Sequence, residues 1–199
     1  MNKKLAAALS SGAVLVVALS GCSSNKDSGP DPKLVAWAKT VCDAVPAQDA
    51  KIRAANASIA KIATDGNLPP KTAKETYSQA FQDMADGYKA LAAAIKSAGA
   101  PPGVDDGAKR QQDAAKNLSG LATSYAGLQK KVDGLDTKDQ GKFAKGLHEV
   151  ADETKEIGTQ SNSGTEALKR LEQGDVKAAI AEQPSCKVAA SAAASPAAG

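Results

Sequence analysis

Four long segments of the chain repeat apolar residues at steps of four and three, and this repeat restricts the fold more than any other feature. The first series is Leu34, Ala38, Val41, Val45, Gln48, Ile52, Ala55, Ile59 and Ile62. The second is Tyr77, Phe81, Met84, Tyr88, Leu91, Ile95 and Ala98. Ala115, Leu118, Ala122, Tyr125, Val132 and Leu135 form the third, with Leu128 or Gln129 between the last members. The fourth runs Phe143, Leu147, Val150, Thr154, Ile157, Ser161, Gly164, Leu168 and Leu171. Such spacing keeps one stripe on one helix face, where helices bury against one another. No stretch alternates as a half-buried strand does, so the chain predicts an all-α fold.

The breaks between segments are equally marked. Asp31-Pro32 reads as an N-cap followed by proline at the first helical position. Asp65-Gly66-Asn67-Leu68-Pro69-Pro70 interrupts the chain, and Thr72 with Glu75 reads as a capping box. Gly99 with Pro101-Pro102 stops the second helix. Asp105 or Asp106 starts the third, and Gly134 ends it. Thr137 with Gln140 reads as a second capping box. Gly174 closes the fourth helix, and Asp175 caps a short last one over 176–181. Pro46 lacks an N–H and is expected to kink the first helix. Short connections force antiparallel neighbours. The expectation is an up-down-up-down antiparallel four-helix bundle, with helices of roughly 28 to 37 residues and a rod ~40–50 Å long.

The N-terminus has a separate logic. Lys3 and Lys4 precede an apolar run from Leu5 to Leu19, which suits a signal peptide and is shorter than the ~20 residues of a comfortable membrane span. It ends in Leu19-Ser20-Gly21-Cys22. This stretch resembles the lipobox of bacterial lipoproteins, in which the cysteine thiol receives diacylglycerol and the signal is cut just before it. The resemblance implies lipidation at Cys22, and two acyl chains anchor stably where one is marginal. The domains expected are a lipoprotein signal at 1–21, a lipid-anchored flexible tether at 22–30, the helical bundle at 31–186 and a disordered alanine-rich tail at 187–199. The expected location is the outer face of the cytoplasmic membrane, with partial release conceivable.

Removing residues 1–21 leaves 178 of the 199 and lowers the net charge from +3 to +1. A near-neutral chain has no electrostatic reason to seek nucleic acid. Few aromatics and many alanines favour closely packed helices. With Cys22 assigned to lipid, Cys42 and Cys186 remain in an oxidising compartment, where a disulfide is the expected state. Two cysteines with no histidine nearby make a poor zinc site. The disulfide requires residues 175–186 to fold back ~20 Å along the first helix, which twelve residues can span.

No catalytic pattern emerges. His148 is the only histidine, and it falls off the apolar seam beside Glu149. A di-metal carboxylate bundle needs inward Glu-x-x-His pairs on facing helices, and position 145 is Lys145. Asp133, Asp136 and Asp139 lack the calcium-loop pattern and read as capping residues. Glu149, Asp152, Glu153 and Glu156, interleaved with Lys145 and Lys155, read as a solvated face. No metal, cofactor or catalytic residue is expected.

One stretch of the fourth helix, GTQSNSGT at 158–165, keeps the seam spacing with small polar residues. Counting helical rises places Ser161 near Trp37, Ile95 and Gln111, and Thr154 near Gln48 and Tyr88. Gly158, Ser161 and Gly164 then make room for Trp37, and Gln48, Tyr88 and Thr154 form a satisfied polar layer. The alternatives are an interhelical ligand pocket walled by Trp37, or a hinge.

The chain resembles the small secreted lipoproteins of Streptomyces-type actinobacteria. The resemblance rests on MNKKLAAALSSGAVLVVALSGCSS, WAKTVC, AFQDMADGYKAL, LDTKDQGKFAKGL and LEQGDVKAAIAEQPSC. It implies export, lipidation and one helical domain, and it brings no activity or site residues. The functional expectation is a membrane-anchored, non-catalytic envelope component that acts through an envelope protein partner, in an oligomeric state the chain does not specify. The alternative is a small-ligand-binding lipoprotein that uses the Trp37 region.

Overall fold

The structure is a computed structural model and describes residues 29–65 and 68–188. The expected signal peptide, Cys22, almost all of the tether, Gly66-Asn67 and residues 189–199 of the expected tail lie outside the described residues.

Four long helices carry the fold: α1 (Pro32–Asp65), α2 (Pro70–Ala98), α3 (Gly107–Asp133) and α4 (Gln140–Leu171). A short α5 (Asp175–Ala181) follows, then a helical turn at 184–188 that takes in Lys187 and Val188. No strand occurs among the described residues. Successive helices are antiparallel. Early α1 meets the end of α2 through Trp37 and Gly99, and early α3 meets late α2 through Gln111 and Ile95. Early α3 also meets the end of α4 through Arg110 and Arg170. At the far end Ser78 of early α2 bonds to Asp133 of late α3. This is the up-down-up-down bundle, with α5 folded back on α1 and Cys42 joined to Cys186.

The helix boundaries follow local chemistry. Asp31 Oδ1 accepts from the Lys33 amide at 2.7 Å, so the Asp-Pro start behaves as its sequence suggests. The two capping boxes do not form. Pro69 is the N-cap of α2, with Pro70 already helical and no side-chain cap bond, because consecutive prolines preset the entry before Thr72 is reached. Asp139 caps α4 by accepting from the Lys142 amide at 3.0 Å, two residues beyond Thr137. Asp136 accepts from the Lys138 amide in the preceding turn. Pro46 lies inside α1 and leaves the Cys42 carbonyl without its helical donor.

The core fills three levels. Leu34, Trp37, Ala92, Ile95, Leu118 and Leu171 pack near the α1 start with Val176 and Ala179 of α5. Phe81, Met84, Leu121, Leu128, Val150 and Ile157 form the middle. Ile62, Ala73 and Phe143 close the far end. The packing is uneven around the square. α2 packs closely on α1 and α3, and α3 on α4, whereas α1 and α4 lack a comparable close backbone approach. Accordingly Val41, Val45, Gln48 and Ile52, all on the α1 seam, are only half-buried. α5 bridges this loose edge near the start of α1. Among the described residues no helix is long and apolar enough to cross a membrane.

Candidate functional site: an apolar cavity beside Trp37

The loose α1–α4 edge holds a partly open apolar cavity of about 330 Å³. Trp37, Val41 and Val45 of α1 form one wall, and Leu91, Ala94 and Ile95 of α2 form another. Leu168 and Leu171 of α4 face them, with Leu118 of α3 behind. Ile180 of α5 and Cys186 close the side that α1 and α4 leave open. The volume falls at the lower end of the range for small-molecule sites, and an apolar lining with few polar groups is their usual make-up. Larger hollows are open surface grooves. One, of about 620 Å³ between α2 and α3, has an alanine floor and a rim that includes Asp86, Lys89 and Lys96.

Each wall is held in place. Trp37 is 5% exposed, and its indole N–H donates to the Gly99 carbonyl at 2.8 Å. Gly99 occupies a left-handed backbone conformation (φ 72°) at the end of α2, which turns that carbonyl toward α1. The α5 strap is held by fully buried Val176 and Ala179. The buried Gln183 amide bonds to the Ala179 carbonyl at 3.1 Å and to the Val35 carbonyl at 3.4 Å. Ser185 donates to Asp43 at 2.9 Å, and the disulfide sits beside that contact.

Glu172 is the one charged residue in the lining. It is the C-cap of α4, where the carbonyl ends of the helix already make the potential negative. Although Glu172 counts as exposed, enough apolar surface crowds its carboxyl to raise its pKa above the ordinary glutamate value. It makes no ion pair among the described residues.

Of the residues singled out in the sequence for a pocket or the disulfide, Trp37, Ile95 and Cys186 line this cavity. Gln111 is buried in the same layer but spends its amide on the Ile95 carbonyl at 3.1 Å. Ser161 is not level with Trp37. It lies beside Tyr88, one layer further along the bundle. The α4 residues opposite Trp37 are Leu168 and Leu171, because α4 ends at Leu171 and its last turn reaches down to the start of α1. Thr154 is exposed and bonds back to the Val150 carbonyl, so it takes no part in a layer with Gln48 and Tyr88. Gly164 makes room for Leu121 of α3 rather than for Trp37, and a Cβ on Gly158 would meet nothing. His148 is exposed.

The polar layer above the cavity has a different membership. Tyr88 stacks on Tyr125 with centroids 5.6 Å apart, and Tyr125 continues to Phe81 and Tyr77. Burial raises the pKa of Tyr88, against the Ser161 hydrogen bond, and the Asp49 charge adds to the rise. Burial, with Tyr88 beside it, pushes Tyr125 up to about 12. Asp49 pairs with Arg53 on the flank of α1. Glu172 and the leucines of the last α4 turn were missed in the sequence. The available signal was the continuation of the seam through Leu168 and Leu171 to the helix end.

Compared with protein-family models, with curated proteins and with solved structures, the chain finds no significant match.

Proposed function

We propose that this protein is an extracytoplasmic lipoprotein, anchored through lipid on Cys22, whose non-catalytic helical domain binds a small, mainly apolar molecule beside Trp37. The partly open cavity of about 330 Å³ lined by Trp37, Leu168, Leu171 and the α5 strap carries this reading. It favours ligand binding over the envelope-adaptor reading, because contact through an outer face gives no reason for an apolar cleft between the helices. Pro32 lies ten positions after Cys22, a reach of at most ~35 Å. An anchor there keeps the Trp37 end of the bundle close to the membrane, where apolar molecules concentrate.

Native mass spectrometry of the lipidated protein, extracted gently from its own membrane, tests the reading. A co-purifying small molecule that is lost in Trp37→Ala supports it. A bare lipidated chain, or one that carries only a protein partner, returns the domain to the adaptor reading. Cys22→Ala tests the anchor separately. Release from the membrane is expected, and full retention would refute lipidation at Cys22.

A further inference from the structure

The cavity has one polar group of fixed sign, and that group defines the ligand more narrowly. We infer that the Trp37 cavity selects an apolar molecule carrying a single cationic amine, with Glu172 as its counter-ion. The inference rests on the ligand-binding reading above and deepens it.

Three observations carry it. Glu172 lies in the lining of an otherwise apolar cavity and has no ion pair among the described residues. It caps the C-terminal end of α4, where the helix carbonyls add to the negative potential and favour a cation. Trp37 stands in the same lining, and an indole is the best aromatic partner for an ammonium group. A carboxylate crowded by apolar surface loses hydration without gaining a partner. An arriving ammonium restores that interaction, and a charge-assisted hydrogen bond is stronger than a neutral one. An alcohol of the same shape gains the apolar contacts and can donate its O–H to the carboxylate, but it brings no opposite charge. A carboxylate meets repulsion. The cavity has room for about ten waters at ~30 Å³ each, which suits a small ligand.

The test uses the lipidated full chain in neutral phosphatidylcholine vesicles, with emission of Trp37, the only tryptophan, as the readout. The probes are n-hexylamine, 1-hexanol and hexanoate, at a pH where the amine is charged. Hexylamine is expected to bind about tenfold more tightly than hexanol, the scale of one charge-assisted hydrogen bond, and hexanoate the most weakly. In Glu172→Gln the amine-to-alcohol preference is expected to fall to about twofold or less. Amine partitioning into the vesicles is common to both proteins and cancels in the comparison. If hexanol binds and hexylamine binds no better, or if Glu172→Gln keeps the preference, the amine inference is overturned and the ligand-binding reading stands. If none of the three probes changes Trp37 emission, both fall.

Discussion

Trp37 and Gly99, 62 residues apart, are joined by an indole-to-carbonyl hydrogen bond of 2.8 Å that ties the start of α1 to the end of α2. The bond sets the orientation of the ring that walls the cavity. Trp37→Phe keeps an aromatic ring but leaves the Gly99 carbonyl without its donor. A loss of about 1–3 kcal/mol is expected, the cost of a stranded polar group. Urea unfolding followed by far-UV circular dichroism measures it, since tryptophan emission is gone. An unchanged midpoint would mean that water replaces the indole at no cost and that the bond does not position the ring.

The Cys42–Cys186 link closes a separation of 144 residues, and the chain-entropy model assigns such a loop roughly 4–5 kcal/mol. The strap also has non-covalent holds in Val176, Ala179 and Gln183. Replacing both cysteines by serine is therefore expected to lower stability by about 2–5 kcal/mol while the long helices stay folded. Hydrogen exchange should accelerate over residues 175–188 and remain slow in the α2–α3 core. Equal protection of 175–188 with and without the disulfide would show that burial alone seats α5.

How far the fold and the site could be read from sequence follows from what a seam encodes. A four-three repeat states that a face is apolar. It does not state that a partner fills the space opposite. Val41, Val45, Gln48 and Ile52 belong to an unbroken seam, yet they are half-buried because α4 does not close on α1 at their level. The small polar stretch at 158–165 does not line the cavity. Its Ser161 lies beside Tyr88, and the cavity opens about two to three turns further on, against Leu168 and Leu171. Counting rises misplaced that level because relative helix offsets depend on loop geometry and on the α5 strap, neither of which is periodic. The disulfide was legible because the count and compartment of the cysteines left few other states. Glu172 was not, because a glutamate at a helix end looks like any solvated charge until the apolar surface around it is known.

Glycines on the helices separate into those required by packing and those that are not. Gly158 is exposed in the interior of α4, and a Cβ there meets nothing within 4 Å. Gly158→Ala is expected to raise stability by about 0.5–1 kcal/mol, or roughly 1–4 °C in Tm for a domain of this size. Gly87 is buried, and its added Cβ would stand 2.7 Å from Ile52 Cγ1 and 3.5 Å from the Gln48 carbonyl. Gly87→Ala gains the same helix propensity but forces Ile52 aside, so a net loss of up to about 2 kcal/mol is expected. Thermal unfolding of the two variants should shift in opposite directions. Shifts of the same sign would mean that the α1–α2 approach is looser than its geometry implies.

All three tyrosines have raised pKa values, with burial as the first cause in each, and Tyr125 reaches about 12. In the unfolded chain they titrate near 10. Between pH 10 and pH 12 the unfolded state has therefore released protons that the folded state still holds, so the native state loses stability as pH rises through this window. Below pH 10 both states hold these protons and the effect is absent. Absorbance near 295 nm at pH 10 should show about half of the full tyrosinate signal in urea, where the phenols titrate near 10, and less than that in the folded protein. The urea midpoint should fall steadily from pH 10 to 12. A phenolate signal of three ionised tyrosines near pH 10 in the native protein would show that the Tyr77–Phe81–Tyr125–Tyr88 stack is open to solvent, and would remove the packed layer that separates the Trp37 cavity from the far half of the bundle.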